Sequence, residues 1–425
     1  MKNSGIEWIG EIPDSWKVAE TKFLFDIFSG ATPDTNSSVN WDGNINWITP
    51  ADFKSDDVYV IKGKKSITTQ GLNSCSAKLV PENSLIFSKR APIGAVAITR
   101  SELCTNQGCL SCVNKGQVVT KYYYYVMRAA EEIYELYGAG TTFKEIAALK
   151  FANFILPYPS VSEQEAIQRD LSNRIKRVDK LIEVQHAQID KLKEYKQSVI
   201  IEAVTKGLDP TVPMKDVSSW MRRIPCNWFD PKIKYFCSIE SGGTPERTHP
   251  EYWNGDINWF KTGELHNDEI FDSEEKITVK AIEETAAKIF PRNAILVAMY
   301  GQGKTRGMTA LLKKESATNQ ACAAIQLKTK IYEVNYLWWV LKGAYNSLRE
   351  RANGSGQPNL SVSLINEFEI SLPPLLEQQK IICYLDDKCA KIDKLIAIKQ
   401  AKIDKLQEYK KSLIYEYVTG KKEVV

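Results

Sequence analysis

The sequence predicts an α+β protein built twice: two mixed α/β domains separated by two long helices that form an antiparallel coiled coil, with internal pseudo-two-fold symmetry. Three observations predict it. One half of the chain repeats the other at a nearly constant offset. Each half ends in a long stretch whose apolar residues alternate at spacings of three and four. Each half opens with short β-type runs bounded by Pro, Gly or Asn.

The repeat is explicit in the residues. Trp16, Ser29-Gly30, Thr32-Pro33, Trp41, Gly43 and Ile45-Asn46-Trp47 return as Trp228, Ser241-Gly242, Thr244-Pro245, Trp253, Gly255 and Ile257-Asn258-Trp259, at an offset of 212. Thr105-Asn106-Gln107 returns as Thr318-Asn319-Gln320, and Gly138-Ala139-Gly140 as Gly354-Ser355-Gly356. The segment from Val178 returns from Ile392 at an offset of 214. Four parts follow: mixed domains over 1–160 and 213–374, and helical regions over 161–212 and 375–425.

Within the first mixed domain the pattern predicts helices over Lys17–Phe28 and Thr120–Tyr137, and strands over Asn44–Ile48, Ser84–Phe87 and Ala95–Ile98. A proline link, Leu156-Pro157-Tyr158-Pro159, is followed by a capping box with Ser162 at the N-cap and Glu165 at N3. Leu372-Pro373-Pro374 and Glu377-Gln378-Gln379 hold the equivalent places. A helix then runs without Gly or Pro to Gly207. Its seam is Ile175, Val178, Ile182, Ile189, Leu192, Val199 and Ala203, with Gln185 and Lys196 as polar members. The second seam is Ile392, Ile396, Ile403, Leu406, Leu413 and Tyr417, with Lys399 and Lys410 at polar places. A sustained 3.5-residue repeat winds two helices on each other. Equivalent halves associate about a two-fold axis. A two-fold axis perpendicular to the helices makes them antiparallel and puts the mixed domains at opposite ends. The seam from Ile175 to Ala203 is roughly 43 Å long at about 1.5 Å per residue, the rise of on the order of 13 base pairs.

Composition sets the class. With 43% hydrophobic and 25% charged residues the chain is globular,. No apolar run approaches the roughly 18 residues of a membrane helix, and the polar start is not that of a signal peptide. A net charge of +4 permits a nucleic-acid partner without demanding one. Nine cysteines without paired spacing suggest buried thiols of a cytoplasmic protein,.

Two motifs invite other assignments. Ala298 to Thr305 fits a relaxed phosphate-loop spacing, yet it is followed by a strand-like run and lacks an acidic residue placed for magnesium. We take it as a glycine-rich turn. Cys109-Leu-Ser-Cys112 has CxxC spacing, but the second half offers only Cys322, so buried strand cysteines are expected rather than zinc. The only Pro-Pro, at 373–374, lacks the acidic and aromatic neighbours of an adenine methyltransferase loop, and no nuclease constellation is present. The chain is expected to be non-catalytic.

The whole arrangement resembles the DNA-specificity subunit of Type I restriction–modification systems. The residues that carry the resemblance are the Trp16/Trp228 starts, Ser-Gly-Gly-Thr-Pro at 241–245, Gly255-Asp-Ile-Asn-Trp259, Met299 to Gly307, and Leu-Pro-Pro-Leu-Leu-Glu-Gln at 372–378. The first domain departs from the usual pattern at Ala31 and at Ser88-Lys89-Arg90-Ala91. The resemblance implies two target-recognition domains (1–160 and 213–374) that bind double-stranded DNA at a bipartite site. It implies two modification subunits carrying S-adenosylmethionine, and restriction/translocase subunits using ATP and Mg. No cofactor belongs on this chain, and no membrane is involved. The residues do not separate a Type I complex from related systems with a fused methylase-nuclease. A coiled-coil scaffold that binds only proteins is the principal rival, and a nucleotide hydrolase built on Lys304 the lesser one.

Base reading needs amide, Arg and Lys side chains. In the first domain these are Lys89, Arg90, Asn106, Gln107, Thr141, Thr142 and Lys144. In the second they are Tyr300, Gln302, Lys304, Arg306, Asn319, Gln320, Gln357 and Asn359. Both halves share the Asn-Gln pairs, which fits turn-holding equally well. Lys89-Arg90 and Gln302–Arg306 differ between halves and rank highest, because shared residues cannot encode different half-sites. The lysines of the helix faces (Lys191, Lys193, Lys196, Lys405, Lys410, Lys411) read as solvated charge, or as phosphate contacts across a spacer.

Overall fold

The computed structural model describes residues 1–54, 57–138, 144–301, 303–352 and 359–423. The chain forms two compact units, Met1–His186 with Gln400–Val425, and Ala187–Lys399.

In the first unit the main elements are β1 (Lys17–Glu20), β2 (Phe25–Ser29), β3 (Trp41–Ile48), β4 (Tyr59–Val60), β5 (Lys65–Ile67), β6 (Leu85–Ser88), β7 (Val96–Thr99), β8 (Cys104–Thr105), β9 (Cys109–Asn114), α1 (Thr120–Ala129), α2 (Glu131–Tyr137), β10 (Ile155–Tyr158) and the start of α3 (Val161–Lys206). A five-stranded sheet runs β2-β9-β6-β7-β4, a three-stranded sheet β8-β3-β5, and β10 pairs with β1. Alternation sorts the five-stranded sheet's faces. Leu85, Phe87, Val96, Ile98 and Cys112 pack toward α1 and the long helices, while Ile86, Ala97 and Cys109 pack on the other side with Ile48 and Leu103.

The second unit repeats this plan. Its main elements are β11 (Cys237–Ser241), β12 (Trp253–Phe260), β13 (Glu269–Ile270), β14 (Glu275–Ile277), β15 (Ile289–Phe290), β16 (Ile295–Ala298), β17 (Thr309–Leu312), β18 (Ser316–Thr318), β19 (Cys322–Leu327), α4 (Val334–Gly343), α5 (Tyr345–Glu350) and the start of α6 (Leu375–Val418). Its sheets run β11-β19-β16-β17-β13 and β14-β12-β18-β15.

The structure corrects three local expectations. Residues 17–28 are not one helix: β1 and β2 flank a single turn, because Lys17–Glu20 pairs with Ile155–Tyr158 and Phe25–Ser29 with Leu110–Asn114. The helix over 120–137 breaks at Ala130 into α1 and α2. The capping box sits two residues early. Ser160 is the N-cap, its backbone and hydroxyl donating to the Glu163 carboxylate at 2.9 and 2.6 Å.

In each unit the two long helices run antiparallel. In the first, Tyr417 donates to Asp170 (2.6 Å) and Lys410 to Asp179 (2.7 Å). In the second, Lys399 donates to Gln188 (2.6 Å) and Lys196 to Asp393 (2.7 Å). Numbers fall along one helix as they rise along the other. Ile175, Val178, Ile189, Val199, Ile392, Ile403 and Leu413 are buried, and Ile182, Leu192, Ile396 and Leu406 half-buried. Lys196 and Lys410 are thus half-buried partners of Asp393 and Asp179 rather than solvated charge. Lys191, Lys193, Lys405 and Lys411 are exposed.

Equivalent joints tie helix to domain. Trp16 donates its indole N–H to Glu163 and Trp228 to Glu377, both at 3.0 Å. Gln164 is fully buried; it accepts the Val119 amide at 2.8 Å and donates to the Pro159 carbonyl at 2.9 Å. Gln378 does the same with Glu333 and Pro373. Each helix ends in a left-handed glycine, Gly207 at φ +75 and Gly420 at φ +71. An added Cβ would meet the Trp228 ring at 3.2 Å in one case and the Pro13 ring at 2.3 Å in the other. A side chain fits neither place.

Candidate nucleic-acid interface

In the first unit the turn between β6 and β7 carries Lys89 and Arg90. Both are held by one carboxylate. Glu145 takes Lys89 at 2.8 Å and Arg90 at 2.7 Å, with Lys89 only 11% exposed and Arg90 45%. The Lys89 carbonyl also accepts the Ile146 amide at 3.0 Å, so residues 145–146 lie along the turn. Partial burial works to raise the Glu145 pKa, but the hydrogen bonds and charges of Lys89 and Arg90 outweigh it and hold the carboxyl below its ordinary value,. Lys144 is exposed next to this clamp.

The second unit places different chemistry on the same backbone. Ala298 pairs with Cys322 as Ser88 pairs with Cys109. The Met299 carbonyl accepts the Leu360 amide at 3.0 Å as Lys89 accepts Ile146. Met299, Tyr300 and Asn359 therefore stand where Lys89, Arg90 and Glu145 stand. The turn is also longer. Phe87 pairs with Val96, whereas Val297 pairs with Thr309, so the second hairpin holds three more residues.

That turn is braced from α5. Arg349 donates to the carbonyls of Gly303 and Arg306, each at 2.8 Å, and the Tyr345 hydroxyl to the Lys304 carbonyl at 2.6 Å. With its carbonyls held inward, the turn leaves Tyr300 and Lys304 exposed and Arg306 half-buried. Because it joins two antiparallel strands, it lacks the strand-to-helix geometry of a phosphate loop. Arg349, Tyr345 and Glu145 were not singled out from the sequence; each acts across more than 40 residues.

The Asn-Gln pairs hold turns. Asn106 Oδ1 accepts the Gly108 amide at 2.9 Å, and Asn319 Oδ1 the Ala321 amide at 3.1 Å. Gln107 and Gln320 are exposed and accept the hydroxyls of Thr32 and Thr244. Thr141, Thr142, Gln302 and Gln357 lie outside the described residues, and Asn359 is half-buried.

Cys109 and Cys112 lie three apart on one strand, hence on opposite faces of the sheet, and cannot share an ion. Burial raises both thiols well above the usual range. Among the nine cysteines, Cys226 and Cys383 are exposed, contrary to the expectation of buried thiols throughout. No helix among the described residues is long and apolar enough to cross a membrane.

Residues 13–194 and 225–408 match the family model of the Type I restriction modification DNA specificity domain, one copy per repeat. The chain belongs to this family. The MjaIX specificity subunit of Methanocaldococcus jannaschii is 26% identical over 378 residues, covering 86% of this chain and 85% of that protein. The EcoR124I/EcoR124II specificity subunit of Escherichia coli is 27% identical over 149 residues, 34% of this chain and 37% of that one. A chain of a solved type I R-M system shares the fold with TM-score 0.71 at 14% identity, covering 96% of this chain and 98% of that one. The HsdS subunit of Thermoanaerobacter tengcongensis does so at TM-score 0.51 and 15% identity, with the same coverage. As a Type I specificity subunit the chain is not itself an enzyme and carries no cofactor of its own.

Proposed function

We propose that each mixed domain, 1–160 and 213–374, reads one half of an asymmetric bipartite duplex sequence, while the paired helices set the distance between the halves. The observation that carries this is one backbone bearing two chemistries. The joints at Trp16/Trp228 and Gln164/Gln378 are equal in the two units, whereas the β6–β7 and β16–β17 turns differ in length and in Lys89, Arg90 and Glu145 against Met299, Tyr300 and Asn359. Lys89, Arg90, Lys144, Tyr300, Gln302, Lys304, Arg306, Gln357 and Asn359, with Thr141 and Thr142, are the base- and phosphate-facing set. Asn106 and Asn319 shape the turns that present Gln107 and Gln320. The seam from Ile175 to Val199 and from Ile392 to Leu413 is the interface that holds the spacing.

The partners in this proposal are double-stranded DNA, two modification subunits and restriction/translocase subunits, acting in the cytoplasm. S-adenosylmethionine sits on the modification subunits, and ATP and Mg on the restriction subunits. Exposed apolar side chains on the helices support two equal docking faces: Leu181, Val184 and Tyr409 in the first unit, and Leu395, Ile398 and Tyr195 in the second.

Mapping methylated adenines in a host carrying variants tests the proposal. Matched heptad insertions in both helices add roughly 10 Å and lengthen the spacer by about three base pairs. Replacing residues 224–370 with another such domain changes one half-site alone. An unchanged spacer refutes the ruler, and movement of both half-sites refutes independent heads.

A further inference from the structure

The loop leading into β5 is basic in the first unit and acidic at the same place in the second. Lys65 pairs across the sheet with Trp47, and Glu275 with Trp259. The Lys64 amide donates to Asp52 and the Glu274 amide to Glu264, both at 2.9 Å. These bonds align Lys62, Lys64 and Lys65 with Asp272, Glu274 and Glu275. The acidic set is neutralised in place: Asp272 by Lys276 at 3.0 Å, Glu274 by Lys261 at 3.1 Å, and Glu275 by Arg247 at 2.8 Å. The three lysines are exposed, and none forms an ion pair with a described residue. Asp52, the carboxylate that fixes this loop, is consumed by the Thr49 and Lys64 amides and the Thr49 hydroxyl.

Their position is set by the three-stranded sheet β8-β3-β5. Trp47, opposite Lys65, precedes Ile48, whose carbonyl accepts the Asn106 amide at 2.8 Å. Lys65 and the Asn106-Gln107 turn therefore share one end of the sheet, two strand spacings or about 10 Å apart. Gly108 lies against the Pro50 ring, and its carbonyl accepts the Lys89 amide at 3.0 Å. The lysine loop, Gln107 and the Lys89-Arg90 clamp thus follow one another along a single edge.

We propose that Lys62, Lys64 and Lys65 form a phosphate-binding strip that the first unit alone possesses and that grips the duplex backbone without reading bases. This rests on the DNA-reading assignment above. Phosphate contacts by lysine release counterions, each steepening the logarithmic salt dependence by about 0.9. The second unit, with internally paired charge at this place, gains nothing there.

The test is DNA binding by the full chain in complex with its modification subunit, titrated against salt on cognate and scrambled duplexes. K62A/K64A/K65A is expected to lower affinity for both duplexes about tenfold or more at low salt. Its salt slope is expected to fall by two to three, with the methylated sequence unchanged; K62R/K64R/K65R keeps the wild-type slope. An unchanged slope in the alanine variant, with wild type still binding its site, overturns the strip and leaves the DNA-reading assignment standing. So does loss of the modification subunit without loss of slope, which would make the strip a protein-docking surface. A wild-type complex that shows no salt-dependent DNA binding overturns both.

Discussion

Glu145→Gln removes one charge and leaves the shape of the clamp. In the folded chain that carboxylate neutralises Lys89, which is shielded, and Arg90, which is half in solvent. Hydrogen bonds to charged groups contribute about 1.5–3 kcal/mol when buried, and exposed pairs about 0.2–1. With Glu145 itself 31% exposed, the two together are worth about 1–2 kcal/mol after screening. A unit of some 200 residues loses about 2–4 °C per kcal/mol, so its unfolding transition should drop by about 2–8 °C at pH 7. The sign with pH follows from the depressed carboxyl. Its stabilisation is complete above the unfolded carboxylate value of about 4.3 and is lost as pH falls through the lower folded value, so wild type and variant should converge in acid. DNA binding should move the other way. Two unneutralised cations on the proposed reading edge should strengthen binding to any duplex and steepen the salt slope by about one phosphate equivalent, while discrimination at one half-site relaxes. Calorimetry, salt-titrated binding and adenine-methylation mapping read the three effects. If slope and methylated sequence both stay unchanged while stability falls, the clamp is structural and does not face DNA.

Three further outcomes follow from other parts of the molecule. Arg349→Ala should loosen the 300–307 turn and weaken or alter one half-site in methylation mapping while sparing the other; an effect on both would tie Arg349 to the scaffold. Ile403→Ala, at a seam residue 1% exposed, should cost about 2–5 kcal/mol, whereas half-buried Leu406→Ala should cost less, as read by thermal unfolding. Lys342 lies over the Trp338 and Trp339 rings at 3.2 and 4.3 Å. Burial first, and then the Lys196 charge, draw its pKa down to about 8, against raising charges from Asp268 and Asp386. The unfolded lysine titrates near 10.4, so stability should rise with pH across that interval. Lys342→Met should be more stable than wild type at pH 7, by about 1–3 kcal/mol, with the difference shrinking by pH 10 in calorimetry.

What was legible in the sequence was whatever depends on near neighbours. The 3–4 spacing of the seam, the Gly207 stop and the strands around Trp47, Phe87 and Ile98 need only a dozen residues of context, and the duplication reports itself. Non-local pairing was not legible. Lys17–Phe28 has helix-like spacing, but its strands answer to partners at Leu110–Asn114 and Ile155–Tyr158 that no local window contains. The misplaced N-cap has the same cause. Ser160 and Ser162 are both suitable caps, and the choice falls to Ser160 because Glu163 must also receive the Trp16 indole from 147 residues away. Glu145 and Arg349 escaped because a carboxylate or guanidinium in a loop carries no pattern until the fold brings its partners to it.

The division between equal and unequal positions has an energetic logic. Replacing Gln164 or Gln378 leaves a buried backbone carbonyl and a part-buried amide without this partner, at about 1–3 kcal/mol. A side chain at Gly420 collides with the Pro13 ring, and one at Gly207 is crowded against Trp228 and strained by its left-handed backbone,. Substitutions in an exposed turn typically stay within about 0.5 kcal/mol. Drift after duplication is therefore channelled: the joints stay locked in both copies, and change accumulates where the backbone is already satisfied from behind. The difference between Lys62, Lys64 and Lys65 in one unit and Asp272, Glu274 and Glu275 in the other is a change of this kind, whereas that between Glu145 and Asn359 goes together with the difference between its two cations and Met299 and Tyr300. Each alters charge on the proposed DNA side of its unit without disturbing a buried hydrogen bond. A symmetric frame can thus come to recognise an asymmetric sequence through its loops alone, which is why exchange of one turn, braced by its own Arg349-like contact, should transfer preference while the seam keeps its spacing.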